Sequence, residues 1–323
     1  MKDQKIIKEL KDANHKIKEN KRFSFLTWFD IFKSYFRYGS SPKDYFRYEF
    51  FKKSSLERNT FLTYKKSQKV LKQFNDEEFS RVAKKKNEFL DFFNPYLKRN
   101  WLDLSNAGED ELVRFINNHE AFFMKEISSG QGRNVRFGYA QEVNKEGALN
   151  FLNQFRNYVI EEPIFQHQNI NKFHPFSVNT IRVYTVFDAS VNEPYLISAV
   201  IRMGNNESSV DNSSAGGIMA QIDLEKGIVF TPGVDKNLNK FLSHPLTEQQ
   251  IVGLQIPNWG KVLQLSRELH HEIPQLKLLG WDLAILENDV DIIEVNHDPC
   301  HFVMQGADQK GKYPQIKKHL RLI

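Results

Sequence analysis

Residues 280–299 read GWDLAILENDVDIIEVNHDP, two apolar runs flanking the polar Glu287-Asn288-Asp289. The runs have the length and composition of paired strands, and the polar residues suit a three-residue hairpin loop. A loop centred on Asn288 sets Asp282 directly opposite Glu294. In a strand, residues i and i+2 point to one face, so Asn296 joins them. Opposed carboxylates destabilise a sheet unless a positive charge lies between them. Two carboxylates and an amide oxygen, with no His or Cys, form a hard-oxygen donor set suited to Mg²⁺. An acidic strand end facing solvent is the competing reading, and a one-residue slip of register would remove the alignment.

The composition around this stretch bounds the answer. The chain has 323 residues, enough for two domains, and its 40% hydrophobic and 13% aromatic content can build real cores. A single cysteine, Cys300, excludes a disulfide framework and multi-cysteine zinc sites. There is no 18-residue apolar run, and the polar first twenty residues do not read as a signal peptide. The expected location is therefore the cytoplasm. Charge is uneven: residues 1–100 hold 25 Lys and Arg against 13 Asp and Glu, and the rest hold 20 against 27. A basic, aromatic front half joined to an acidic back half suggests two jobs.

Along the chain, residues 1–20 and FSFLTWFDIFKSYFRY (23–38) have helical spacing, and the segment to about Phe74 continues in short basic-aromatic helices. Asn75 with Asp76, Glu77 and Glu78 reads as a helix start. From about residue 100 the pattern becomes many short strands with few helices, which indicates an α+β fold with antiparallel pairing. The expected divisions are a helical region over 1–75, a nucleotide lobe over 76–165 and a metal-bearing lobe over 166–323.

Other stretches carry chemistry. In MKEISSGQGRNVRFG, Lys125 ends a strand before a turn of small residues (Ser128, Ser129, Gly130 and Gly132). Such a turn lets backbone N–H groups approach a phosphate while the lysine supplies charge, although it is not the Walker pattern. A glycine-bearing hairpin with a surface lysine is the bland alternative. YVIEEPIF (158–165) runs a strand into Pro163, leaving main-chain groups free to bond a nucleobase, or simply leaving the sheet. Arg182 and Arg202 each sit inside an apolar strand, where they need an anionic ligand or buried acids as partners. Asn212 and Gly216-Gly217 form a turn suited to close backbone approach.

Taken in order, these pieces resemble an ATP-grasp enzyme, and NTIRVYTV with the QH of IFQHQN resembles the sugar-transfer associated group, relatives of α-L-glutamate ligases. The similarity spans roughly residues 80–310. It implies two α+β lobes with antiparallel sheets clamping ATP, preceded by the basic helical region. It further implies that Lys125, with Lys86 upstream, holds phosphates and that Ser128, Ser129, Gly130 and Gly132 close over them. Glu161 belongs to the nucleotide-contacting set, main chain at Glu162 to Ile164 would read adenine, and His167 falls near the ribose position. Asn212 joins the nucleotide set, Arg182 and Arg202 handle the γ-phosphate and acylphosphate, and Asp282, Glu294 and Asn296 hold one or two Mg²⁺. The implied reaction is carboxylate–amine ligation through an acylphosphate, joining an amino acid to a sugar in surface polysaccharide synthesis. A phosphotransferase and a catalytically silent nucleotide-binding subunit are the alternatives.

Residues 1–75 lie outside that resemblance. Trp28, Phe29, Phe32, Tyr35 and Phe36, with Lys33 and Arg37, suit an amphipathic surface helix facing anionic lipid at the inner membrane, fitting a lipid-linked glycan acceptor. No nucleic-acid module is present, so no specific nucleic-acid partner is expected. The competing reading is a helical unit packed on the catalytic core with its lysines solvated.

Overall fold

The computed structural model describes residues 2–19, 25–129, 134–205 and 216–322, so Gly130, Gly132 and Asn212 lie outside the described residues. Helices α1 (Lys2–Glu19), α2 (Phe25–Tyr38), α3 (Pro42–Arg47), α4 (Ser55–Thr60) and α5 (Tyr64–Phe74) come first, then α6 (Lys86–Phe92). Strand β1 (Trp101–Asp103), helix α7 (Glu109–Asn118), strands β2 (Ala121–Glu126) and β3 (Val135–Tyr139), helices α8 (Ala140–Glu146) and α9 (Ala148–Phe155), and strand β4 (Tyr158–Glu161) follow. The short α10 (Gln168–Asn171) leads into β5 (Thr180–Asp188), β6 (Glu193–Met203), β7 (Ile218–Ile222), β8 (Gly233–Val234) and β9 (Lys240–Phe241). Helix α11 (Trp259–Glu272), the hairpin of β10 (Leu278–Ile285) and β11 (Val290–Asn296), and helices α12 (His301–Gln305) and α13 (Tyr313–Leu320) end the chain.

The strands form two antiparallel sheets, one in the order β1-β4-β2-β3 and the other β11-β10-β5-β6-β7-β8-β9. This is the expected α+β architecture, and each sheet face has its own covering. On the small sheet, Phe122, Met124 and Ile160 pack against Leu112 and Phe115 of α7 and Phe151 and Leu152 of α9. On the large sheet, strand alternation separates two sets of side chains. Ile181, Val183, Ile201, Leu279, Trp281 and Leu283 face α11 and the Phe89–Phe93 turn of α6. Tyr184, Val186, Val200, Met219 and Leu278 face the opposite way, into a core with Tyr45, Tyr48, Phe50 and Leu62 from the front helices and Phe302 and Ile316 from the last two.

The front helices are thus built into the face of the sheet that also carries Arg182, Arg202 and Asp282. Gln305 clamps them there, its Oε1 accepting from Leu62 N at 3.2 Å and its Nε2 donating to Leu62 O at 2.8 Å. Buried Asp44 accepts from Tyr64 N at 2.8 Å and lies 3.0 Å from His301 Nε2. Charge and hydrogen-bond satisfaction together fix this covering, because Asp44 would be costly to bury unpaired.

Asn75 differs from the sequence expectation. It ends α5 rather than starting a helix, and its amide is spent across the chain: Nδ2 donates to Leu278 O (2.9 Å) and His297 O (2.8 Å), and Oδ1 accepts from Leu278 N. Capping competes with such long-range bonds, and here a β10 edge with unsatisfied groups lies within reach.

Candidate active site

The β10–β11 hairpin is tighter than the sequence suggested. Ile285 pairs with Val290 and Leu286 N bonds Asp289 O at 2.9 Å, so the turn centres between Glu287 and Asn288. By itself that turn would set Asp282 against Ile293. A bulge in β11, where the register shifts between Asp282 and Leu283, restores the pairing Asp282↔Glu294 and sets Asn296 opposite Gly280. Bulges insert one unpaired residue and re-aim side chains near sites. The expected facing pair is therefore present, produced by a two-residue turn plus a bulge rather than by a three-residue loop.

Gly280 makes room beside the pair. A Cβ there would lie 2.9 Å from Pro299 Cβ and 3.2 Å from Arg182 Cδ. Across the sheet, Asp282 pairs with Arg182 of β5, and Arg202 of β6 reaches the same carboxylate diagonally. Arg182 donates Nη2 to Asp282 Oδ2 at 2.5 Å and Nε to Oδ1; Arg202 donates Nη1 to Oδ2 at 2.8 Å. All three side chains are buried. The two arginines are not waiting unpaired for an anion, as the ligand reading supposed: Asp282 is bonded to both, because buried guanidinium requires an acid.

Glu294 is the loosely held member. Its side chain is 51% exposed toward the cleft, 3.8 Å from Arg182 Nη2, and accepts from Asn296 Nδ2 at 3.2 Å. Crowding that strips water from its sheet-facing side, followed by the Asp282 carboxylate beside it, pushes its pKa up to about 7 against the pull of Arg182 and Arg202. Burial alone would raise Asp282, but Arg182 and Arg202 outweigh it and hold its carboxyl far below the usual range.

The small sheet supplies the cations. Lys125 Nζ ion-pairs with Glu161 Oε1 at 2.9 Å, and Arg99 Nε donates to Glu161 Oε2 at 2.6 Å. Burial favours neutral Glu161, yet Lys125 and Arg99 overcome it and lower its pKa to about 2. Lys86, the first residue of α6, donates from Nζ to Glu126 O at 2.8 Å and to the carbonyl of Ser129, with Ser129 Oγ 3.3 Å away. Burial lowers the Lys86 pKa, with Lys125 adding to that and Glu294 opposing it. Lys86, Lys125 and Glu294 are therefore close enough to feel one another. Ser128 is exposed and Ser129 half-buried at the rim, where Ser129 Oγ donates to Glu126 O.

Three nucleotide assignments change on this geometry. Glu161 is only 2% exposed with both oxygens engaged, so its carboxylate orients Lys125 instead of meeting a ligand. The Glu162 amide donates to Asn100 O at 2.9 Å, and its Oε2 accepts from Asn100 N and Nδ2, both at 3.1 Å, so that amide is spent in the strap between 100 and 162. His167 caps α10, with Nδ1 accepting from Asn169 N at 3.0 Å and its own amide donating to Ile285 O. Ile164 stays half-buried at the strand exit.

Sequence reasoning missed Arg99 and Asp291. Arg99 is buried and bonds Glu161 on one sheet, then Asp291 Oδ2 (2.7 Å) and Ile292 O (2.8 Å) on the other. The signal was present: Asp291 is an acid set inside the apolar run VDIIEV, where burial requires a cation.

The donor chemistry of Asp282, Glu294 and Asn296, two carboxylates facing each other across β10 and β11 with an amide on the same face, fits a hard dication. Among the described residues, no group of three or more His, Cys, Asp or Glu stands ready as a metal cage. The set is two carboxylates and an amide, a partial shell of the kind Mg²⁺ completes with water and phosphate oxygens.

A family model described as sugar-transfer associated ATP-grasp matches residues 145–320. No curated protein matches the chain significantly. Among solved structures, the chain is similar to the ATP-grasp ligase PsnB complexed with minimal precursor, at 11% identity and TM-score 0.46, covering 77% of this chain and 62% of that one. It is also similar to D-alanine–D-alanine ligases from Bacillus anthracis (12% identity, TM-score 0.44, 79% and 73% covered) and Helicobacter pylori (13%, 0.44, 79% and 68%). The chain spans less than two thirds of PsnB, and at these distances no residue role passes from those proteins to this one.

Proposed function

With more than half of its length in one match, the chain belongs to the sugar-transfer associated ATP-grasp family, and from that premise we propose that it is an ATP-dependent carboxylate–amine ligase. The observation that carries this reading is the convergence of Arg202, Arg182, Asp282, Glu294 and Asn296 on one sheet face with Lys86 and Lys125 within electrostatic reach. A triphosphate needs such a field: cations on one wall and hard-oxygen donors on the other.

A substrate carboxylate oxygen attacks the γ-phosphorus, the bond to the β-phosphate oxygen breaks, and ADP leaves with that electron pair. An amine then attacks the acyl carbon, inorganic phosphate departs and the amine proton passes to solvent. Lys125, held straight by Glu161, and Lys86 offset charge on the triphosphate. Arg182 and Arg202 can exchange part of their hold on Asp282 for the transferring phosphoryl group, an anion whose oxygens also accept two parallel guanidinium N–H bonds. Asp282, Glu294 and Asn296 would hold one or two Mg²⁺, which would supply positive charge against the triphosphate when bound. Ser128 and Ser129 at the rim, and Ile164 at the strand exit, line the nucleotide side of the cleft in this reading, and Gly130, Gly132 and Asn212 are assigned to it from their sequence positions.

The finer reading follows the family's association with sugar transfer. The substrates are an amino acid and an amino sugar or sugar acid, the acceptor is a lipid-linked glycan, and the product enters surface polysaccharide on the cytoplasmic side of the membrane. A hydroxylamine trap tests the reaction class. With ATP, Mg²⁺ and a pool of amino acids and sugar acids, a ligase yields a hydroxamate with ADP and phosphate. Phosphorylated product without hydroxamate would replace the ligase with a phosphotransferase, and ATP that neither binds nor turns over would leave a silent subunit.

A further inference from the structure

Helix α2 is amphipathic in reverse. Its buried side is Ile31, Ser34 and Tyr38. Phe25, Phe29, Phe32 and Phe36, spaced four, three and four apart, fall within about 60° of one another at roughly 100° per residue. That stripe lies on nearly the opposite side of the helix from the buried one and is 74%, 60%, 54% and 80% exposed. Leu26 (72% exposed) extends it. Water is the worst neighbour for four phenyl rings, and contiguous apolar surface of this kind marks an interaction site. Phe25 packs edge-on to Phe29 at 5.5 Å, Phe36 edge-on to Tyr35 at 5.4 Å, and half-buried Trp28 tilts against Phe32 at 6.2 Å, contacts that leave the outer faces of the rings in water.

The charge around the stripe selects its occupant. Lys33 and Arg37 are exposed on α2 itself, and Lys65 of α5 sits with Nζ 3.5 Å from the centre of the Tyr35 ring. Asp30, the one acid on α2, is spent: Arg58 Nη2 donates to it at 2.8 Å and Tyr45 Oη at 2.8 Å. The flank is therefore net positive, within a front hundred residues carrying 25 cations against 13 anions. A second copy of the chain would bring like charge against like charge. An anionic lipid surface satisfies both features, taking the rings below its headgroups and the cations at them. Among the described residues no helix is long and apolar enough to cross a membrane, so α2 lies on the surface rather than spanning it.

We propose that the Phe25–Phe29–Phe32–Phe36 face of α2, flanked by Lys33, Arg37 and Lys65, is an interfacial anchor that seats the protein on an anionic bilayer. The anchor needs no nucleotide or substrate, so it stands or falls independently of the ligase reading.

Co-sedimentation of the full chain with vesicles, without ATP, tests it. The chain binds mixed phosphatidylcholine–phosphatidylglycerol vesicles about tenfold better than phosphatidylcholine alone, and added salt narrows the difference. Phe29→Ser/Phe32→Ser/Phe36→Ser lowers partitioning by about tenfold or more with circular dichroism unchanged. Lys33→Glu/Arg37→Glu, which leaves the rings in place, removes the preference for phosphatidylglycerol. The proposal is overturned if wild-type protein binds neither vesicle, if both variants bind like wild type, or if ultracentrifugation shows a wild-type dimer that the serine variant dissolves.

Discussion

Two ion networks stand close together in this molecule and behave oppositely. At the seam of the two sheets, Arg99 meets Glu161 and Asp291, and Lys125 closes the set; all but Lys125 are nearly inaccessible. On the face of the large sheet, Arg182 and Arg202 crowd onto Asp282 and leave Glu294 half-exposed with its pKa raised to about 7. Both networks balance two cations against two acids. The first engages both oxygens of each acid within the protein, which suits a structural tie. The second gives one acid both arginines and leaves the other facing a cleft, which suits a site with a ligand yet to come.

The largest effect expected from breaking that contrast is in the closed network. Arg99→Met leaves Asp291 with only the Lys98 amide and Glu161 with only Lys125, so buried charge loses its counter-ion and stability should fall by about 3–5 kcal/mol in urea denaturation. A loss below about 1 kcal/mol would mean the seam is hydrated and not saturated.

The open network should show the reverse pattern. Glu294→Gln keeps shape and removes charge, so stability should not fall while kcat/KM for ATP turnover drops about 10²–10³-fold. Asp282→Asn is a poorer probe, because it also strips two buried guanidiniums of their counter-charge. Unchanged turnover in Glu294→Gln would remove the metal and phosphate assignment.

Acidity separates the networks by sign. Glu161 has a folded pKa of about 2, below its ordinary value, so its stabilisation is full above pH about 4.5 and is lost as pH falls toward 2. Glu294 is raised, so its folded state binds the extra proton and its contribution is lost as pH rises from about 4.5 to about 7. Without added metal, the melting-temperature difference between wild type and Glu294→Gln should therefore drift against wild type across that upper window. A difference flat with pH would place Glu294 in ordinary solvent.

The smallest effect concerns His167. His167→Ala removes a cap bond and should cost about 0.5–1 kcal/mol with the KM for ATP unchanged. A several-fold rise in that KM would return His167 to the ribose.

Much of this was legible in the chain. NTIRVYTV and ISAVIRMG each announced an arginine inside an apolar strand that needs an anionic partner, and the polar break at 287–289 announced the hairpin. The bulge that aligns Asp282 with Glu294 was not legible, since β11 carries no glycine or other local mark of an extra residue. Asn75 was misread because local capping preferences say nothing of the distant Leu278 and His297 carbonyls that compete for its amide. The phenylalanines of α2 announced an amphipathic helix, but which side faced the protein needed Ile31 and Tyr38 to find their core.

By itself the sequence determined the periodicities, the charge asymmetry and the order of the chemical groups, because these depend only on neighbours along the chain. The tertiary structure decided partners. It made Asp282 the shared counter-ion of two arginines, turned Glu161 from a ligand contact into the support of Lys125, and brought the front helices onto the face that carries the site. Those outcomes turn on which buried charge lies within a few ångströms of which other, a distance set by packing between segments far apart in sequence.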